Sequence, residues 1–445
     1  MANTYLSRTT GTPTTQNLWT WSAWVKFSND NQAGATDGAL LSEYQSASAW
    51  NKYERISNNR LRYNAGAAGH GSFVTSRNFS DLNAWYHIVI INDWQNSTTA
   101  DRIRLYVNGV RETAFDSFSH PTSGGSRINE AGKNIRIGSH NNGLYFNGSM
   151  SHIHFTDGTA YDASYFGETD ATTGEWKIKT SPSVTYGNNG YFILKDGNSV
   201  TDQSGKGNNW AVAGGTLTKT EDSPSNVFAT LNPLIKARDG TPTFGSGNTT
   251  YKSTSTSWDS GLATIMPSSG KWYFEFKPTD NDNTMVGVID SVRNNEYLNG
   301  TSYNGYLGYR GFGYQSSSDG SANVYNDGSA TVISGGGWSA NNICGVAIDL
   351  DNEEMFLHVN GNYTNSGNPT TRANPYSFSS EFIAGNPAAI GVSSRSNYIT
   401  YVNFGNGYYL TTAVATAGTN ASGNGIFEYD VPTGYTALST KGLNL

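Results

Sequence analysis

The sequence predicts an all-β protein built as two β-sandwich domains in series, and three observations carry that prediction. The first is residues 343–361, ICGVAIDLDNEEMFLHVNG, where Cys344, Val346, Ile348 and Leu350 share one face of a strand. After turn residues at Asp351-Asn352, Met355, Leu357 and Val359 resume the alternation, which stops at Asn360-Gly361, a pair suited to positive φ. The second is a repeat of that design: AWYHIVIIND (84–93), a polar loop, then RIRLYVNG (102–109), with Ile103, Leu105 and Val107 facing inward. Two hairpins of one style, about 250 residues apart, predict two sandwiches rather than one large one. The third is composition. Charged residues make up 14% of the chain, against roughly 25% in an average globular protein, while glycine (51) and tyrosine (27) are abundant. That is the composition of a turn-rich all-β chain, and the clean alternation excludes a disordered one.

The same numbers bound function. At 445 residues the chain has room for more than one core. A net charge of −7 and a pI near 5.5 give no reason to expect nucleic acid as a partner. The one cysteine, Cys344, excludes an intrachain disulfide framework and a cysteine zinc cluster, and its place on an apolar strand face predicts a buried, inert thiol. MANTYLSRTTGTPTTQN has neither a basic start nor an apolar core, so synthesis in a cytoplasm without a signal peptide is expected. No apolar run is long enough for a membrane span.

Taken in order, residues 1–17 read as a polar N-terminal arm. From LWTWSAWVKF (18–27) to SMSHIHFTDG (149–158), apolar alternation recurs with turn pairs Asn108-Gly109, Asn142-Gly143 and Asn147-Gly148 between strands. Four pieces stand out: Trp21-Ser22-Ala23-Trp24-Val25, Trp85-Tyr86-His87-Ile88, Leu105-Tyr106-Val107-Asn108-Gly109 and Phe146-Asn147-Gly148-Ser149-Met150. Together they resemble the laminin-G-like, concanavalin-type jelly roll, over 18–165. Residues 166–250 read as an ordered connector, preceded by a short helical turn after Asp162. Its pieces FGETDATTGEW, DQSGKGNNW and NVFATLNPL resemble linkers of structural proteins of tailed phages, marine ones especially.

The second domain is expected over 251–405. KWYFEFK, TMVGVID, YLGYRGFGY, the 343–361 hairpin, AAIGVSS and YITYVNFG follow one another there. Gly270 to Glu275, Val286 to Val288, Gly345 to Asp351, Phe356 to Gly361 and Val402 to Gly405 resemble the cues of a SPRY domain, a bent β-sandwich used for binding. It departs from that pattern in placing three residues between Phe356 and Asn360. Residues 406–445 read as an ordered C-terminal extension that packs back or reaches a neighbour.

Concanavalin-type sandwiches also host glycosidases and lyases, which need two carboxylates on one strand face. Glu353/Glu354 and Asp349/Asp351 are the best available pairs, of which Asp349 and Asp351 bracket a turn, while Glu428/Asp430 share a face but lie outside both sandwiches. No G-x-S-x-G elbow, H-E-x-x-H pair or phosphate loop is present. His152 and His154 share a strand face but lack a third metal ligand, so packing is expected of them. No cofactor is expected; calcium is the alternative, held by loop carboxylates Asp37, Asp93, Asp101 and Asp157.

Sugars stack their C–H faces on tryptophan and tyrosine. The loop aromatics Trp50, Tyr53 and Trp94 of the first domain are therefore ligand candidates. In the second domain, the SPRY resemblance makes Tyr297, Tyr303, Tyr306, Tyr309, Arg310, Tyr314 and Trp338 ligand-facing. The phage resemblance implies a non-enzymatic virion surface protein, a tail-fibre or other adhesion subunit binding host-surface glycan or protein. Its alternatives are a capsid decoration or fibre protein that docks on other virion proteins, and a polysaccharide-degrading enzyme. A homo-oligomer, by phage practice a trimer, is expected without support from coiled-coil heptads.

Overall fold

A computed structural model describes residues 3–28, 38–46, 49–65, 69–122, 125–140, 144–195, 197, 199–235, 242–254, 256–292, 305–309, 311–378, 382–383 and 385–444. Asp37, Tyr297, Tyr303 and Arg310 lie outside them, and of Trp50 only the backbone is described. The chain forms two compact units, residues 1–219 and 220–445.

The first unit holds β1 (Tyr5–Thr9), β2 (Leu18–Phe27), β3 (Ala39–Ser46), β4 (Ala49–Ile56), β5 (Arg60–Asn64) and β6 (Ser72–Asn78). These are followed by β7 (Tyr86–Asp93), β8 (Ile103–Val107), β9 (Val110–Arg111), β10 (Phe115–Ser119), β11 (Asn134–Ile137) and β12 (Gly148–Asp157). Short strands β13 (Gly167–Thr169), β14 (Trp176–Ile178), β15 (Tyr191–Ile193) and β16 (Ala211–Gly214) complete it. Among the described residues they make an eight-stranded sheet, β10-β6-β5-β4-β3-β11-β1-β16, a six-stranded sheet, β15-β12-β2-β7-β8-β9, and the separate pair β13-β14. Period-two alternation puts Trp19, Trp21, Val25 and Phe27 of one sheet against Leu41, Tyr53, Tyr63 and Phe73 of the other. Trp21 is wholly buried, and truncating such a side chain to alanine costs about 3–5 kcal/mol. The hairpin β8–β9 closes through Asn108 (φ 48) and Gly109 (φ 80), the positive-φ pair that Asn-Gly supplies cheaply.

Both faces of β2 are buried, because residues 160–184 lie across the outside of the six-stranded sheet, packing Phe166, Tyr161 and Trp176 on Val89 and Ile91. The helical turn at Ala163–Tyr165 is capped by Asp162, whose carboxylate accepts the Ser164 N–H. The arm 1–17 contains a strand: β1 pairs with β11 and β16, since Leu6 alternates into the core. The stretch 166–250 is divided between the units. Tyr191–Ile193 extends the first unit's sheet through β12 and Trp210 enters its core, whereas Ala229 and Leu231 enter the core of the second.

The second unit holds β17 (Thr243–Gly245), β18 (Thr250–Lys252), β19 (Asp259–Leu262), β20 (Lys271–Pro278), β21 (Thr284–Asp290), β22 (Phe312–Ser316), β23 (Ala322–Asn326) and β24 (Ser329–Ile333). After them come β25 (Cys344–Asp349), β26 (Glu354–Val359), β27 (Asn362–Tyr363), β28 (Tyr376–Ser377), β29 (Ala388–Ser394) and β30 (Ile399–Asn403). The tail adds β31 (Tyr408–Tyr409), β32 (Thr412–Ala413) and β33 (Thr436–Ala437). One sheet runs β17-β18-β30-β20-β25-β26-β27, and the other β19-β29-β21-β22-β23-β24. Cys344, Val346, Ile348, Met355 and Leu357 point together into the core, as the alternation requires. Cys344 is fully buried and its pKa is driven up by desolvation. The opposite face of that hairpin, Ala347 and Phe356, is covered by Phe427, Val431, Tyr435 and Ala437 of the C-terminal extension.

Candidate functional site

The outer face of the second unit's six-stranded sheet carries the most distinctive group of side chains. A row of glycines, Gly391, Gly287 and Gly313, runs across β29, β21 and β22 in register. Its flatness lets residues 305–309 lie directly on the sheet: a Cβ on Gly313 would stand 2.8 Å from the Gly308 nitrogen, and one on Gly308 2.3 Å from Tyr325 Cβ. The segment is pinned by donors at both ends. Ser260 Oγ donates to the Gly305 carbonyl (2.7 Å), Leu307 N to Ser393 Oγ (3.0 Å) and Gly328 N to the Gly308 carbonyl (2.8 Å). Leu307 anchors it in a satellite cluster with Leu262, Met285, Ile289 and Ala389.

This leaves four half-buried rings side by side. Tyr306 meets Tyr325 at 5.5 Å, Tyr309 at 5.8 Å and Trp258 at 6.0 Å between centroids. Arg395 lies over Trp258 with its guanidinium carbon 4.9 Å from the ring centroid. Arg395 Nε donates to Asn283 Oδ1 (2.8 Å), and its backbone N–H to the Asn283 carbonyl (3.2 Å). The turn that follows holds Ser396 (φ 60) and Asn397 (φ 66) in the left-handed region, so the arginine emerges from a tight corner. Desolvation raises the pKa of Tyr306 and of Tyr325, which keeps both phenols neutral donors. Flat apolar faces, phenolic hydroxyls and a guanidinium together suit a sugar ring.

Of the residues predicted from the sequence, Tyr306 and Tyr309 belong to this group. Tyr314 and Trp338 do not: both are core side chains, stacked 6.1 Å apart, with the Tyr314 hydroxyl donating to the Gly336 carbonyl. The register explains it, since Tyr314 pairs with Val286 and shares that strand's inward face. Trp258, Tyr325 and Arg395 were missed, because nothing local in the sequence announces that three loops and a strand converge on one sheet face.

In the first unit, Tyr53 is likewise a core residue, stacked on Tyr63 at 4.4 Å. Trp50 lies within β4, its backbone paired with Tyr44, rather than in a loop. Trp94 is half-buried at an end of the sandwich, with Arg102 6.0 Å and His70 6.1 Å from its ring. Here the arginine is spent on main chain, donating to the carbonyls of Asn96 (3.1 Å) and Pro121 (3.2 Å).

Of the acidic residues predicted as calcium ligands, the three that are described, Asp93, Asp101 and Asp157, do not converge. Asp93 pairs with Arg104 at 3.2 Å, and Asp101 with Arg111. Asp157 is buried and saturated: it accepts from Thr14 N (2.6 Å), Thr15 N (3.1 Å), Asn189 N (3.0 Å) and Asn129 Nδ2 (2.9 Å). A carboxylate so occupied ties the N-terminal segment to the sandwich and has no lone pair to offer a cation. At least one member of each candidate acid pair is also a turn or strand fixture. Asp349 holds Lys271 (3.0 Å), Asp351 caps the Gly270 N–H (2.9 Å), Glu354 is forked by Arg372 (2.8 Å) and Glu428 accepts from Ala415 N (2.8 Å).

Two histidine relays resemble catalytic groups but are fixed otherwise. The Trp176 indole N–H donates to His87 Nδ1 (2.9 Å), so Nε2 carries the proton and donates to Ser22 Oγ (2.9 Å). That polarity is the reverse of a serine activated by a base. Burial lowers the His87 pKa to about 3. In the second unit, Gly361 N donates to His358 Nδ1 (3.1 Å), His358 Nε2 faces the Tyr273 hydroxyl (2.8 Å), and that hydroxyl donates to Glu275 Oε1 (3.1 Å). Glu275 is buried, its pKa raised by desolvation, and it also accepts Glu428 N (2.9 Å), Tyr429 N (2.8 Å) and the Tyr409 hydroxyl (2.5 Å). It is the clasp of the C-terminal extension.

No curated protein matches the chain. Among solved structures, the TRIM65 PSpry domain is similar at 16% identity, covering 39% of this chain and 89% of that one, with a TM-score of 0.29. The SPRY domain of human HERC1 is similar at 15% identity, covering 39% and 96%, with a TM-score of 0.28. A Bacteroides ovatus protein described as carbohydrate binding is similar at 14% identity, covering 49% of this chain and 58% of that one, with a TM-score of 0.34. Residues 2–164 match the concanavalin A-like lectin/glucanases superfamily, so the first unit carries a concanavalin-type sandwich.

Proposed function

We propose that the protein is a non-enzymatic adhesion protein that binds host-surface glycan through the ring cluster Trp258, Tyr306, Tyr309 and Tyr325. The observation that carries this is the cluster itself: four half-buried rings held side by side on a glycine-flattened sheet face. The lectin-type fold of residues 2–164 supports the glycan class, and the engagement of the candidate acids in ion pairs and turns supports binding without hydrolysis. We place the protein on a phage virion as a fibre or tail subunit on the strength of the linker segments FGETDATTGEW, DQSGKGNNW and NVFATLNPL.

A glycan array probed with the full chain tests the binding reading. Retention of at least one glycan, lost in the double variant Trp258→Ala/Tyr309→Ala with unchanged circular dichroism, is expected. No retention, or retention the double variant leaves intact, contradicts it. Release of reducing ends from any retained polysaccharide would contradict the non-enzymatic part. Cryo-EM of a particle carrying the chain tests its location: density at the tail or in fibres is expected, and absence from the particle overturns the virion reading.

A further inference from the structure

We infer that the glycan recognised by the second unit is acidic, with Arg395 taking its anionic group; this rests on the ring cluster being a glycan site. Most arginines with described side chains face a carboxylate: Arg60 pairs with Asp116, Arg62 with Glu54, Arg77 with Glu112, Arg104 with Asp93, Arg111 with Asp101 and Arg372 with Glu354. In a chain of net charge −7, with 35 acidic residues available, that is the ordinary outcome. Arg395 departs from it. Its Nε is committed to Asn283 Oδ1 at 2.8 Å and its plane to the Trp258 face, which fixes the direction of the guanidinium, and among the described residues its two terminal nitrogens meet no acceptor. Asp282, the nearest acid in sequence to that contact, turns instead to the Asn283 side-chain amide. Arg102, the other arginine set over a half-buried tryptophan, shows the contrast, because its donors end on the carbonyls of Asn96 and Pro121.

A guanidinium oriented from behind, with two parallel N–H donors at its front, is matched by a planar carboxylate or a sulfate oxygen pair. Because Trp258 adjoins Tyr306, a sugar whose anionic group meets Arg395 has an aromatic face beside it for its ring. The shared chemistry is a pyranose bearing one negative group, a uronic acid or a sulfate half-ester. Neutral sugars would use the rings alone.

Isothermal titration of the full chain with three probes tests this: a tetragalacturonate, a sulfated galactan tetrasaccharide and a neutral galactan tetrasaccharide. The expected result is tighter binding of an acidic probe than of the neutral one by about ten- to hundredfold, the range of a charge-assisted hydrogen-bond pair. Whichever acidic probe wins identifies the source of the charge. In Arg395→Gln, which keeps a donor for Asn283 and removes the charge, the preference for the acidic probe over the neutral one should disappear while melting stays unchanged. Acidic binding should also weaken with added salt, and Arg395→Lys should restore part of it. Equal affinity for acidic and neutral probes overturns the inference and leaves the glycan reading standing. Absence of binding to all three, together with an empty glycan array, overturns both.

Discussion

His87, Asp157 and Arg395 each show how a side chain's neighbours decide its chemistry. His87 is buried among Ser22, Trp24 and Trp176, and burial depresses its pKa to about 3. The unfolded chain therefore takes up the proton first, at the ordinary histidine pKa. The resulting stability is complete above about pH 6.5 and is lost as pH falls towards the folded value, about 2 kcal/mol of it by pH 5. His154, also lowered by burial, acts in the same sense, whereas buried Glu43, whose pKa is raised, opposes them over its own range. At pH 5 a histidine 15N spectrum should show His87 neutral with the proton on Nε2; an imidazolium signal would contradict the relay described above. Asp157 gives a second prediction. Asp157→Asn puts an amide donor among four N–H groups, so the first unit should lose about 2 kcal/mol and melt roughly 4–8 °C lower. An unchanged melting point would mean that the N-terminal segment is held by something else.

At the scale of elements, the segment 305–309 and the C-terminal extension are the two pieces whose placement depends on single residues. Gly308→Ala would bring a Cβ within 2.3 Å of Tyr325 Cβ, forcing the turn off the sheet. The overpacking should cost about 1–3 kcal/mol and disperse the ring cluster, so glycan retention should fall along with stability. Glu275 clasps the extension at Tyr409, Glu428 and Tyr429. In Glu275→Gln, amide exchange should quicken across 426–437 while β25 and β26 stay protected; uniform protection would show that the apolar contacts of Phe427 and Tyr435 suffice. Gly345 belongs to the same device, since a Cβ there would stand 2.0 Å from His358 Nε2. These elements also mark what the sequence made legible. The strands at 84–93, 102–109 and 343–361 announced themselves by alternation, and both Asn-Gly turns by composition. The same alternation could not say which loop aromatics fill the core. Tyr314, Trp338 and Tyr53 have strand or loop neighbours much like those of Tyr306 and Tyr309, and only sheet register sorts them. Arg395 and Trp258 are 137 positions apart in number, and no local pattern joins them.

For the molecule as a whole, the division into residues 1–219 and 220–445 gives each unit its own pair of sheets and its own core. Limited proteolysis should therefore cut near 220 and leave two fragments that each retain strand circular dichroism; degradation of one fragment as soon as the other is freed would contradict their autonomy. Adhesion through the ring cluster concentrates recognition in the second unit. Hydroxyl-radical footprinting of the full chain, free and with the glycan it retains best, tests that most directly. Protection confined to Trp258, Tyr306, Tyr309 and Tyr325 is expected. Protection centred on Trp94 or elsewhere in residues 1–219, with those four rings unchanged, would contradict it.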